Sequence, residues 1–246
     1  MPTAVDEVVL EMQERLLRLG QPHHRFFLGT YQRTTGAVGK AVDGAAFEDP
    51  DWVERWDVAF ARLYLDALDA MQAGDTNSVP RPWRLAFAAE PDLPPLRHVL
   101  LGINAHVNYD LPQALLAVIT DDDFADDRLM ARRRRDHERI DGVLASRVSA
   151  EDDELLASGA ARSILDRLLT PLNRLGSKRF LREARLKVWH NTAELQHART
   201  ESVDTYRQRL AELEVLSAAK IADLLAPGQV ILRLAVAGFG VVLPPA

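Results

Sequence analysis

Between Asp49 and Met71 the chain sets Trp52, Trp56, Phe60, Leu63, Tyr64, Ala67, Leu68 and Met71 along one stripe. Steps of three and four residues are the period of an α-helix, and no strand places such a set on one face. Asp49-Pro50 supplies the cap and the first residue. The same period recurs along most of the chain. Thr3 precedes Val5, Val8, Val9, Met12, Leu16 and Leu19, and Gly20 stops that helix. A second segment runs from near His23 through Phe26, Phe27, Tyr31 and Val38, and Gly29, Gly36 and Gly39 weaken the case for one continuous helix there. Pro82 opens a short helix ending near Glu90. Pro95 begins the helix that carries "LGINAHVNYDLP", which Pro112 should kink or divide. "TDDDFADD" caps a helix running through the arginines to about Val148. Ser149, with Asp152 three residues on, opens another that continues to Thr170-Pro171. Residues 177–217 read as a long helix broken near Glu201-Ser202, and an apolar segment ends the sequence. Period-two alternation is confined to the last fifteen residues, and no fixed repeat or long polar linker divides the chain. The expectation is a single all-α domain over 1–246, a bundle of about eight to ten helices.

Composition narrows the chemistry. With 47% apolar and 27% charged residues, the 246-residue chain can bury a full core and is no disordered segment. The absence of cysteine removes disulfides, thiolate metal sites, iron–sulfur clusters and thiol nucleophiles together. A net charge of −6 argues against a nucleic-acid partner. The basic run Arg132–Arg135 reads as a solvated face, or as the partner of the acids at Asp121–Asp127. "MPTAVDEVVLEMQERLL" is amphipathic and acidic, unlike a signal peptide. "VILRLAVAGFGVVL" contains Arg233 and falls short of the roughly twenty apolar residues of a membrane span. A cytoplasmic protein acting on a small molecule, with no membrane span, is the expectation.

The chemistry-bearing residues lie in three helices. His106 and Asp110 are four apart, and so are His137 and Asp141, and His190 and Glu194; residues at that spacing share a helix face. Three such faces meeting in a bundle would enclose imidazole and carboxylate together. One use is a divalent metal (zinc, iron or manganese) held by His106, Asp110, His137 and His190, with Asp141 as ligand or base. Another is metal-free acid–base work, in which a carboxylate fixes the tautomer of its imidazole. The third possibility is plain packing, since any one His–acid pair is commonly a helix-surface contact. His106/Asp110 leads because its neighbours are apolar. His98 and Gly102 extend its row, and Gly102 admits a close neighbour. Asn104 and Asn108 form a second polar row on the same helix, suited to bonding nearby backbone. Arg25 is a candidate partner for a buried acid, or else a surface cation. His197 reads as surface, and His23 or His24 could close a site.

Phosphate-loop, dinucleotide-binding, nucleophile-elbow and H-E-x-x-H motifs are absent. The lone E-x-x-H, Glu194 to His197, is one pair where a di-iron bundle needs two. "HVLLGINAHVNYDLPQAL", with "DHERIDGVL" and "LKVWHNTAEL" downstream, resembles an actinobacterial family of uncharacterised helical proteins over roughly residues 5–240. Its most specific element is G-x-N-A-H-x-N-x-D-L-P, and the resemblance implies no activity. More distantly, His106-x-x-x-Asp110 is similar to one step of the zinc-dependent phospholipase C and P1-nuclease group, all-α enzymes with metals on His and Asp. The proline and histidine that follow that step in the group do not match here. The resemblance therefore implies a fold analogy. A metal-dependent hydrolase-like enzyme is the leading expectation. A metal-free cyclase or isomerase of natural-product type, and a non-enzymatic binding or scaffold protein, are the alternatives.

Overall fold

The computed structural model describes residues 3–158, 174–228, 233–234 and 238–245; the side chains of 141, 144–158 and 174–182 lie outside that description. Among the described residues it is all helix and irregular chain, without a β-strand. Thr3 caps α1 (Ala4–Arg18) through a capping box with Asp6. α2 (His24–Asp43) is continuous, against the expectation from its glycines. The reason is packing: a β-carbon at Gly39 would stand 2.9 Å from Val5, so that glycine seats α1 rather than breaking α2. Asp49 caps α3 (Pro50–Gln72), whose stripe of Trp52, Trp56, Phe60, Tyr64 and Leu68 is buried as expected.

α4 (Arg81–Phe87) is short, and α5 (Pro95–Ala105) begins at the expected proline. Residues His106–Asp110 then form one π-helical turn before α6 (Leu111–Val118). Pro112 has no N–H for the carbonyl four residues back, and the wider turn takes up the misfit, dividing the helix just before the proline as expected. Thr120 caps α7 (Asp121–Ala125) through a second capping box, with Asp123. α8 (Asp127–Ser158) runs through Ser149 without stopping, so the helix start expected there does not form. Its continuation to Thr170-Pro171 lies outside the described residues. α9 (Arg174–Glu201) ends where the sequence breaks, and Ser202 caps α10 (Val203–Leu225) by accepting from the Thr205 N–H.

α3 lies at the centre, against α6 and the turn, with α1 and α2 on one side. α5 packs on α2 and α10, and α9 on α6 and α10. Gly102 gives α5 its close approach: a β-carbon there would lie 2.4 Å from the Phe27 ring on α2. The arginine run serves α3, not the acids at Asp121–Asp127. Arg132 and Arg133 both bind Asp49, and Arg135 and Arg139 bind Glu48. These guanidiniums hold Glu48 at about 2. Asp121 pairs instead with Arg199.

After α10 the chain returns as an extended strap. Asn108 donates to the Phe239 carbonyl and accepts from the Val241 N–H. Asn191 donates to the Val241 carbonyl and accepts from the Leu243 N–H. Two side-chain amides thus bind alternate peptides of residues 239–243, as a neighbouring strand would. No helix of the described residues is long and apolar enough to cross a membrane.

Candidate functional site

α3, α5 and the π turn bring His106 and Asp110 to the protein's interior, where they are 3% and 1% exposed. The imidazole Nδ1 lies 2.8 Å from Asp110 Oδ2, and the Trp83 indole donates to the same oxygen at 2.7 Å. An indole N–H can only donate, so Oδ2 accepts. The imidazole tautomer that fits carries its hydrogen on Nδ1, giving the carboxylate two donors and leaving Nε2 with a lone pair. That Nε2 is buried and has no hydrogen-bond partner among the described residues. Burial lowers the His106 pKa against the pull of Asp110, and burial raises that of Asp110 against His106 and Trp83.

Aromatic rings enclose the imidazole. Phe60 is stacked on it at 3.5 Å with planes 6° apart, and Tyr31 meets its edge at 4.5 Å. Phe27, Tyr64 and Trp83 complete the box at 5.9–6.0 Å. Six further buried polar atoms of α2 and α3 lack partners among the described residues: the Tyr31, Thr35 and Tyr64 hydroxyls, the Trp52 and Trp56 indole N–H groups, and Asp57 Oδ2. Thr35 lies beside the Tyr31 hydroxyl without the geometry of a full hydrogen bond. Burial pushes Asp57 up to about 8, so at neutral pH it is mostly a carboxylic acid.

The other sequence candidates go elsewhere. His137 is buried between Trp56 at 5.4 Å and Trp189 at 5.6 Å, and burial drives it down to about 3. Two rings, Phe60 and Trp56, stand between it and His106. The Asp141 side chain lies outside the described residues. His190 binds the Leu243 carbonyl at 2.9 Å, while Glu194 pairs with Arg209, so these two form no pair with each other. His197 is on the surface with Glu201. His98, two turns before His106, clusters with His23 at 5.1 Å, and His23 with His24 at 4.3 Å. Arg25 is exposed on the first turn of α2. Asn104 bonds back to the Leu100 carbonyl and accepts from Asn108, and Asn108 also holds the strap, the backbone role expected for this row.

Among the described residues no three His, Asp or Glu side chains are placed to hold one ion. Asp110 Oδ2 is already taken by two donors. A cavity of about 1430 Å³ lies apart from His106, between α1, α2 and α8, lined by Gln32, Lys40, Arg135 and Gly142 among others. Polar chemistry concentrates at the imidazole and not in that groove, where Arg135 and Arg139 are already paired.

Sequence reasoning missed Trp83, Tyr31 and Asp57. For Asp57 a signal existed: it lies four residues from both Val53 and Ala61, inside the apolar stripe of α3. For Trp83 there was none.

These features define a helical-bundle protein with a buried, aromatic-walled His–Asp pair. The chain belongs to DUF5995, a family of unknown function whose model matches residues 5–227. No curated protein and no solved structure matches it.

Proposed function

We propose that this protein is an enzyme that moves protons on a small, largely apolar molecule, an isomerase- or cyclase-type activity run without a metal. The observation that carries the reading is one imidazole. His106 is buried, aligned through Nδ1 by Asp110 and Trp83, and holds an unpartnered Nε2 inside a box of aromatic rings. A neutral imidazole whose rear nitrogen is fixed by a carboxylate is a general base, and the imidazolium it becomes is stabilised by that carboxylate. The rings supply apolar contact and exclude water. Phe60 is the movable wall: a flat substrate would take its place on the imidazole face.

The test uses 5-nitrobenzisoxazole, a flat apolar probe whose ring opens on loss of one carbon-bound proton. The wild type should open it in the presence of chelator, His106→Gln should lower the rate at least tenfold, and Phe60→Ala should raise it. A rate indifferent to His106→Gln removes the reading. The tightness of the Phe60 stack favours a second one, a polar knot that only organises the core. Under that reading His106→Gln lowers thermal stability and leaves the probe reaction unchanged.

A further inference from the structure

We propose that Tyr31 and Asp57 form an oxygen-binding wall opposite His106, and that the substrate class is therefore an apolar ketone or enone that passes through its enolate. The inference rests on the acid–base reading of His106 and adds the group that the substrate must carry.

The placement comes from two helices. Tyr31 and Thr35 are one turn apart on α2, and Asp57, Phe60 and Tyr64 share one face of α3. Tyr31 meets the His106 ring at 4.5 Å, and Phe60, three residues from Asp57, lies on that ring at 3.5 Å. The Tyr31 hydroxyl is held well above the usual phenol range by burial first, then by the nearby carboxyls of Asp57 and Asp110, so it stays an O–H donor. Asp57 is 3% exposed, and its Oδ2 has no hydrogen-bond partner among the described residues. Buried polar groups are nearly always bonded, so an unpartnered hydroxyl on a ring that touches the imidazole, with an unpartnered carboxyl close to that hydroxyl, is unexplained by packing alone. Two neutral O–H donors close to a base are what an enolate oxygen requires: they strengthen as negative charge grows and carry none of their own.

The step balances within the chain. Nε2 of His106 takes the proton from the carbon beside the carbonyl. The C–H electron pair moves into the new C=C bond, and the charge reaches oxygen. Tyr31 and Asp57 donate hydrogen bonds to that oxygen and keep their protons. The imidazolium, paired with Asp110, then returns its proton to the same or a conjugated carbon. No oxidant, reductant or second substrate is consumed.

4-Nitrophenol tests the wall, since its ring and oxygen imitate an enolate and its absorbance reports the state of that oxygen. Wild type should bind it. Tyr31→Phe and Asp57→Leu should each weaken binding about tenfold or more. Asp57→Asn, which keeps a donor, should retain most of it, and His106→Gln should leave it within about threefold. No binding by wild type, or unchanged binding by Tyr31→Phe and Asp57→Leu, overturns the proposal. If both weaken binding while His106→Gln leaves 5-nitrobenzisoxazole opening intact, the wall stands and the base assignment falls. Should Asp57→Leu fail to fold, infrared spectroscopy decides on the intact protein. A carboxylic-acid C=O band at pH 6 must disappear in Asp57→Asn, and a wild type without that band overturns the assignment.

Discussion

His106 and Asn108 sit two residues apart on one turn and face opposite kinds of polar surroundings. Asn108 looks toward the strap, where the amides of Asn108 and Asn191 meet a peptide N–H or C=O on each side. His106 looks into the aromatic box, where its Nε2, the Tyr31 and Thr35 hydroxyls and Asp57 Oδ2 are buried without partners. The strap is partly exposed, with Val242 on the surface, whereas the box is dry. The two also differ in completeness: the strap amides have their partners within the chain, and these atoms of the box have none among the described residues.

The contrast yields graded expectations. Asp57→Asn should have the largest effect, and it should stabilise. Burial pushes the folded carboxyl up to about 8, against the ordinary 3.8, so between those values the native state holds a proton that the unfolded chain gives up. Stability conferred at low pH is thus lost as pH rises toward 8. The substitution should recover about 4 kcal/mol at pH 7, at about 1.4 kcal/mol per unit, seen in denaturant melts that flatten between pH 4 and 8. On the completed side, Asn108→Leu or Asn191→Leu should cost about 2–3 kcal/mol by stranding strap peptides. Hydrogen exchange of residues 239–243 should then speed up while 5-nitrobenzisoxazole opening is unaffected. His137 gives the acid limb. Burial brings its folded value down to about 3, below the ordinary 6.5, so acid protonates the unfolded chain first and stability falls as pH drops through that window. His137→Phe should regain about 2 kcal/mol at pH 5 and nothing at pH 8. The smallest change belongs to His106→Gln: Nε2 bonds nothing, so the loss is that of the Nδ1 hydrogen bond to Asp110, about 1–2 kcal/mol. A drop of several kcal/mol there would erase the distinction between the two regions.

Helix ends were the most legible part of the fold. Thr3, Asp49, Thr120 and Ser202 all cap as their local sequence requires, because capping is decided within four residues. Ser149 misled for the same reason: a local capping pattern does not stop a helix that the surrounding chain continues. Gly39 misled because intrinsic propensity is weak beside a close helix contact, here with Val5 of α1. In the site, the His106–Asp110 bond was readable, since both partners lie on one turn. The meeting of His106, His137 and His190 was not. Spacing of four says which residues share a face, and nothing about which other helix that face meets. Trp83 arrives from a separate short helix, and the hydrophobic pattern gave it no mark distinguishing it from any buried tryptophan.

The π turn carries one more residue than an α-turn over the same path. Deleting any one of residues 106–110 would close it to an ordinary α-turn and shift the side chains within it by about 100° relative to one another. Asn108 and Asn191 could then no longer address the same strap while Asp110 reached Trp83. The surplus residue acts as a vernier between two gears, letting one rod mesh with the aromatic chamber and with the chain's far end at once. Length at this spot is therefore a tighter requirement than the identity of most side chains around it.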